Sequence, residues 1–575
     1  MSRGILGQKK DGKNLMLFSF KVREGDEWES NSDDSDYVPP WDGEEEEKSK
    51  SHETRKRKKK SKIQSVITDS ESDSSCDTIP YAPNPQEADI PHSKSSTSKH
   101  KLEKTKPTFF SKSKDIKENV KTKNKRKRQQ NHDIGEKESK KMKIDGQITH
   151  SWDNLPPEIL VRIFQAVINS QGALPFLCRA SKVCSNWQSV ALNSSLWKTI
   201  DLSYGWIRST EQTLDWLIEN RISRSVSINL SSWKNLTIKG FENLVLKCKN
   251  LESLCVSYCK KLNAAAIRLI GDHCMNLSHI DLSFLTVTDK AAYVHIIEQC
   301  GGGLIHLSLA GNTVKGLNHV LSAIIANCTR LELLDLSNVI SSSDFTTLDI
   351  EGLQTGCPHM KVLRLTNSKF RPSSATFKVQ ADSGGFPALE ELSLAVGTGA
   401  SVGLAVNDIF LRRVLKNATK LKLLDLRGCC QITHSGLRNI IAADLEHLYI
   451  SNCSVARYES IELILMKWQH SMLELDLSWN MYPGMSLDIA MNKLASSPHQ
   501  SKLQIINLSG TSISCHRVRS LLKGCPNLKS LNLGSCRGLP RGMKKEYSEQ
   551  LLEELKQDID TIAEQNGLDV VDGVL

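Results

Sequence analysis

The chain has 575 residues, and its 75 Lys and Arg against 65 Asp and Glu leave a formal net charge of +10. That length calls for more than one domain, while so small a charge excess gives no reason to expect a nucleic-acid client. No apolar stretch reaches the roughly 18 residues of a membrane-spanning helix, and the short apolar run from Leu15 to Phe20 is too brief and badly flanked for a secretory signal. No membrane partner is expected, and a reducing intracellular compartment leaves the sixteen cysteines mostly free.

Residues 1–148 are rich in Lys, Glu, Asp and Ser and poor in aliphatics, too poor to offset the entropy of folding. They read as a long disordered arm. Charge is segregated within it. An acidic block runs from Asp33 to Glu47, one basic cluster is Arg55, Lys56, Arg57, Lys58, Lys59 and Lys60, and a second is Lys125, Arg126, Lys127 and Arg128. Between them TDSESDSSCD, from Thr68, sets hydroxyls before acidic residues, as acidophilic kinases prefer. The basic clusters predict nuclear import first and nonspecific nucleic-acid contact second, with a solvated spacer as the plain alternative. Phosphate attraction of this kind is salt-dependent and blind to sequence, so specific nucleic-acid binding is not expected. The expected location is the nucleus, with a cytoplasmic pool compatible.

Residues 149–197 change character. Pro156 and Pro157 fit the start of a helix, where a missing N–H costs nothing, and Glu158 then meets the positive end of the helix dipole. Ile159, Leu160, Ile163 and Phe164 come next at helical spacing. A second helix is predicted over about 174–182 and a third over about 186–192, the latter announced by Val183, Cys184 and Trp187. Some 45 residues make too small a core for confident independent stability, so this module is expected to lean on the chain behind it and on a partner in front.

From Trp197 a leucine-spaced unit of about 27 residues recurs through residue 540, the period of a solenoid. Its strand motif, hydrophobic-x-x-Leu-x-Leu-x-x-Asn/Cys, is clear in LESLCVSYC from Leu251, LELLDLSNV from Leu331, LKLLDLRGC from Leu421 and LKSLNLGSC from Leu528. Roughly 13 copies are counted, the first two weak; three or so suffice for a stable stack. Each copy turns from a short strand into a returning helix such as AAAIRLIGDHC, predicting an α/β horseshoe whose parallel strands line a concave face. Residues 541–575 depart from the repeat. Tyr547, Leu551, Leu552, Leu555, Ile559 and Ile562 recur at helical spacing, predicting an amphipathic helix that closes the last repeat.

Cysteines follow the repeat rather than any ligand pattern. Cys248, Cys274, Cys328, Cys357 and Cys525 lie three residues before a repeat's first apolar position, and Cys259, Cys429, Cys453 and Cys536 fill its ninth. Zinc needs clustered pairs with histidines at ligand spacing. Only Cys429 with Cys430 and Cys255 with Cys259 come near, so no metal and no cofactor are expected. Nor is there a phosphate loop, an HExxH or a GxSxG. His279, His306 and His447 come from separate repeats without a recurrent acid or nucleophile. Cys184 belongs to helix packing rather than to the exposed, electropositive surroundings a reactive thiolate needs. No catalytic residue is assigned, and the chain is expected not to be an enzyme.

The spaced set Leu155, Pro156, Glu158, Ile159 and Leu160, then Val183, Cys184 and Trp187, then Leu196 and Trp197 resembles the F-box. The motif set and the repeats together resemble the F-box and leucine-rich-repeat protein family over about residues 150–548, with PFLCR, GFPALEELSLA, LLDLRGCCQIT and LNLGSCRGLPRGMKKEY among the matching segments. The resemblance implies a helical F-box before a leucine-rich-repeat solenoid, binding to a Skp-family adaptor, and through it to a cullin and a RING-box subunit. It implies a substrate receptor of an SCF-type ubiquitin ligase, which brings a client to a charged conjugating enzyme by proximity. The alternative is a non-degradative binding scaffold in the nucleus. The residues expected to hold the adaptor are Leu155, Pro156, Glu158, Ile159, Leu160, Ile163, Phe164, Val183, Cys184, Trp187 and Trp197.

On each strand the third, fifth and seventh motif positions should face the concave surface. Five aspartates in the fifth column, at 201, 281, 335, 425 and 476, favour a basic client, although Leu-Asp-Leu is a common filling of such repeats. Departures from that filling guide better. Arg364, Arg427, His447, Tyr449 and Trp479 combine charge with rigid aromatic area and mark the expected client site in the C-terminal half.

Overall fold

The computed structural model describes residues 155–342, 345–397, 406–453, 455, 461–480, 482, 486–496 and 501–565. Both basic clusters, the acidic block and the segment from Thr68 lie outside the described residues.

The described chain opens with helices α1 (Pro157–Gln171), α2 (Phe176–Ala180) and α3 (Ser185–Ala191). Pro157 takes the first helical position of α1 and Glu158 its first turn, while Leu160, Phe164 and Ile168 make its buried stripe. The Phe164 ring meets Phe176 of α2 and Trp187 of α3 edge to face, each at 5.1 Å between centroids. One side chain thus pins three helices. The Cys184 sulfur accepts the Trp187 N–H at 3.5 Å and caps α3.

The module runs directly into the sheet. The Trp197 indole donates to the Ala191 carbonyl at 2.8 Å, and the Trp197 carbonyl accepts from the Ser225 hydroxyl at 2.6 Å. Two residues on, β1 (Thr199–Asp201) starts a fourteen-stranded sheet. It continues through β2 (Ser227–Asn229), β3 (Ser253–Cys255), β4 (His279–Asp281), β5 (His306–Ser308), β6 (Leu333–Asp335) and β7 (Val362–Arg364). Then come β8 (Glu391–Ser393), β9 (Leu423–Asp425), β10 (His447–Tyr449), β11 (Glu474–Asp476), β12 (Ile505–Asn507) and β13 (Ser530–Asn532). These thirteen pair in parallel without register slip, and the middle residue of each, from Ile200 to Leu531, is 0–2% exposed. That single column of Ile and Leu is the spine of the core.

Helices return the chain between strands, and side-chain caps start them: Thr237 accepts from Gly240 N–H, Asn263 from Ala266 N–H and Asn407 from Phe410 N–H. Cys248, Cys274, Cys328, Cys357 and Cys525 end five of them, all buried. The ninth-position thiols have a different task. Cys259, Cys429, Cys453 and Cys536 donate to the carbonyls of Leu230, Leu394, Leu426 and Leu508, the sixth position of the preceding repeat, at 3.0–3.3 Å. Asn312 and Asn480 do the same to Leu282 and Ile450 at 2.8 Å. Asparagine and cysteine both occur at this position because each offers a compact donor to a carbonyl of the preceding repeat.

The end of the array differs from expectation in one respect. Tyr547 is not on the closing helix but on β14 (Glu546–Ser548), which pairs antiparallel with β13 and covers the sheet's edge. The helix proper is Gln550–Gln565, with Leu552, Leu555 and Ile559 buried and Leu551 exposed. Tyr547 is buried because its strand alternates, and its agreement with the helical period is coincidental.

Candidate functional site

Two surfaces carry the residues singled out from sequence. On the helical module, Pro156, Glu158, Ile159, Ile163 and Val183 are exposed, and Leu155, Cys184 and Trp187 are half-buried. Ile159 at 43% and Val183 at 58% are open to solvent, in contrast to Leu160, Phe164 and Trp197, which are buried. Those three hold the module together and, in this arrangement, present no surface to a partner. The Trp187 indole nitrogen is buried without a hydrogen-bond partner among the described residues.

The second surface is the concave face. The fifth-position column lies in register across the sheet, so that Asp335, Arg364, Ser393, Asp425, Tyr449 and Asp476 are successive neighbours. The fifth position has a structural duty that the sequence alone does not reveal. The Oδ1 atoms of Asp201, Asp281, Asp335 and Asp476 accept the N–H two residues on at 2.9–3.0 Å, and that of Asp425 does so at 3.3 Å. Each closes a local turn at the strand's end.

The five departures are not equivalent. Arg364 donates to both carboxylate oxygens of Glu391, from Nε at 2.5 Å and Nη2 at 3.0 Å, with Asp335 at 3.9 Å. Its side chain is only 13% exposed, so its charge is already committed inside the protein. Arg427 is bidentate on Asp425 at 2.9 and 2.7 Å and lies over the Tyr449 ring, 5.2 Å from its centroid. The Tyr449 hydroxyl donates to Glu474 Oε2 at 2.7 Å, and His447 Nδ1 lies 3.3 Å from the same oxygen. Burial alone would raise the Glu474 carboxyl, but the hydrogen bonds from His447 and Tyr449 hold it below the usual range.

Trp479 stands 60% exposed at the eighth position, where the backbone turns left-handed at φ 57°. Its ring covers Gly510, where a Cβ would meet it at 2.5 Å. Arg427, His447, Tyr449 and Trp479 thus gather on β9–β11, whereas Arg364 belongs to a separate ion pair two strands away. Sequence reading missed Glu391 and Glu474, the carboxylates that organise these residues. The signal that finds them is the third-position column read across adjacent repeats.

Residues 152–203 match the F-box-like family model. Among relatives, F-box protein SKIP19 of Arabidopsis thaliana is 29% identical over 216 residues, 32% of this chain and 68% of its own length. F-box/LRR-repeat protein 4 of Bos taurus is 26% identical over 315 residues, 53% of this chain and 45% of its own length. F-box/LRR-repeat protein 5 of Bos taurus is 25% identical over 214 residues, and the match spans 30% of it. The solved structure titled "Crystal structure of Rad7 and Elc1 complex in yeast" aligns with 67% of this chain and 91% of its own at 15% identity, with a TM-score of 0.38. The chain therefore carries an F-box-like segment that passes directly into a repeat sheet, and its relatives are F-box and F-box/LRR-repeat proteins.

Proposed function

We propose that the protein is the substrate receptor of an SCF-type ubiquitin ligase. The F-box-like module binds a Skp-family adaptor, which brings a cullin and a RING-box subunit, and the repeats hold the protein to be ubiquitinated. The observation that carries this reading is the unbroken passage from the module into the sheet at Trp197–Asp201. A rigid junction fixes the distance between adaptor and client, and proximity of this kind is what raises the effective concentration of a client lysine near the conjugating enzyme. No residue of this chain is assigned a chemical step.

The adaptor contact is assigned to the exposed Pro156, Glu158, Ile159, Ile163 and Val183 with the half-buried Leu155. Within the family, the segments PFLCR and LNLGSCRGLPRGMKKEY resemble F-box and leucine-rich-repeat protein 6. Nuclear residence driven by Arg55–Lys60 and Lys125–Arg128 belongs to the same proposal; deleting residues 50–145 should shift a tagged chain to the cytoplasm without loss of adaptor binding.

Proximity labelling in cells, with the proteasome inhibited, tests the function. The intact chain should label adaptor, cullin and clients, while Leu155→Ala/Pro156→Ala should keep the clients, lose the cullin and raise client abundance when the inhibitor is removed. Clients whose abundance ignores the double substitution would favour a scaffold that degrades nothing.

A further inference from the structure

The concave face holds more negative charge than its fold requires. On the thirteen parallel strands, its outward positions carry the five aspartates of the fifth column with Glu391 and Glu474 of the third, against the two guanidinium groups of Arg364 and Arg427. With histidines neutral, this one face is strongly acidic in a chain of formal charge +10. The strand-end turn does not account for it. Asn229, Asn507 and Asn532 accept the equivalent N–H at 2.9, 3.1 and 2.9 Å, so an amide serves the fold as well as a carboxylate. At Asp335 and Asp476 charge is also unfavourable in the free protein, since burial pushes these two carboxyls above their ordinary range, whereas the hydrogen bonds from His447 and Tyr449 hold Glu474 low. A carboxylate standing where an amide would turn the chain equally well and desolvate more easily points to a positive group supplied from outside.

The face already shows how it holds such a group. Arg364 lies bidentate on Glu391, and Arg427 lies bidentate on Asp425 above the Tyr449 ring. On the next strand, Glu474 and Asp476 have no Lys or Arg within ion-pair distance among the described residues. They sit beside Tyr449, on the strand whose end presents the exposed Trp479. Carboxylates beside the Tyr449 ring suit a guanidinium or ammonium group, which gains from the anion and from the ring face together.

We propose that the concave face binds a basic segment of the client, with an arginine or lysine side chain seated against Glu474 and Asp476 beside Tyr449. This rests on the reading of β9–β11 as the client site and adds the client's chemical class.

The test is fluorescence anisotropy of a labelled, end-capped (Gly-Arg)4 peptide titrated with the full chain, with (Gly-Glu)4 for comparison. Glu474→Gln/Asp476→Asn removes the charge and keeps the turn and the Tyr449 acceptor. The basic peptide should bind, the acidic one should not, and the double variant should weaken binding at least tenfold with an unchanged melting temperature. Equal affinity for intact and variant chains, or equal binding of the two peptides, overturns the proposal. Should the double variant fold poorly, Trp479→Lys, at an exposed site, decides instead: a several-fold loss is expected, and no change is contradictory. Partner capture by a Tyr449→Ala/Trp479→Ala chain separates the two possible failures. Partners lost there while (Gly-Arg)4 ignores the carboxylates leave the client site standing and remove the basic class. Partners retained there remove the site itself.

Discussion

The Tyr449 hydroxyl donates to Glu474 Oε2 at 2.7 Å across neighbouring strands, so the most conspicuous aromatic of the concave face is also part of its electrostatics. Removing that donor by Tyr449→Phe should raise the Glu474 carboxyl toward its ordinary range and cost about 1 kcal/mol at neutral pH. A carboxyl held low in the folded state stabilises above its unfolded pKa, and that contribution fades as pH falls through the folded value. The difference between wild type and Tyr449→Phe should therefore be full at pH 7 and shrink below about pH 4. Urea denaturation across that range checks it, and a difference that grows on acidification would reverse the assignment.

Glu351 and Arg413 form a buried bidentate pair at 2.8 and 2.6 Å, joining the helices Ile350–Gly356 and Asp408–Val414. Arg413 also donates to the Ser373 carbonyl at 2.8 Å, which ties the chain between the two helices to the pair. Glu351→Ala strands a buried guanidinium and should cost about 3–5 kcal/mol, whereas Glu351→Leu/Arg413→Met should cost less than that single change. Thermal unfolding of both variants distinguishes a pair held for geometry from one that supplies net stability.

How much of this was legible in the sequence differs by level. The strand register was, because the Leu-x-Leu motif fixes which residues share a column, and Arg364, Asp425 and Tyr449 fell where it placed them. The phasing of the cysteines was visible, but not the donor role that explains it in Cys453 and Cys536. Three things were hidden. The fifth-position aspartates turn the backbone, a local hydrogen bond with no periodic signature. Arg364 is consumed by Glu391, a residue 27 positions away that only folding brings near. Tyr547 fitted a helical period by chance and lies on a strand. On the module, apolar periodicity marked Leu160 and Phe164 as readily as Ile159 and Ile163, though only the latter pair is exposed.

The ninth-position thiols should be chemically silent. Burial pushes Cys259 and Cys453 up to about 12, and each is hydrogen-bonded to a carbonyl. Among the cysteines of the described residues, iodoacetamide at pH 7.5 followed by mass spectrometry should modify the exposed Cys178 and Cys430 first, leaving Cys259, Cys429, Cys453 and Cys536 unmodified until denaturant is added. Rapid native labelling of Cys453 would contradict the packing described.

The eighth position stacks aromatic rings on glycine. Tyr258 and Phe284 lie parallel at 4.4 Å, and a Cβ on Gly311 would meet the Phe284 ring at 2.2 Å with φ at +67°. Gly311→Ala should therefore destabilise by about 1–3 kcal/mol. Phe284→Ala in the same chain should recover only the part due to the clash, leaving the cost of the left-handed backbone. Chemical denaturation of the two variants reads both contributions.

In the proposed function, exposed apolar residues of the helical module recruit the adaptor while the repeats remain free for a client. Calorimetric titration of the full chain with a purified Skp-family adaptor tests it most directly, using wild type and Ile159→Asp/Ile163→Asp. Both residues are exposed, at 43% and 36%, so the substitutions should leave the melting temperature nearly unchanged. Wild type should bind one adaptor per chain, and the double variant should lose at least a hundredfold in affinity, because charge enters a buried apolar contact. Equal adaptor affinity in the two proteins would contradict it.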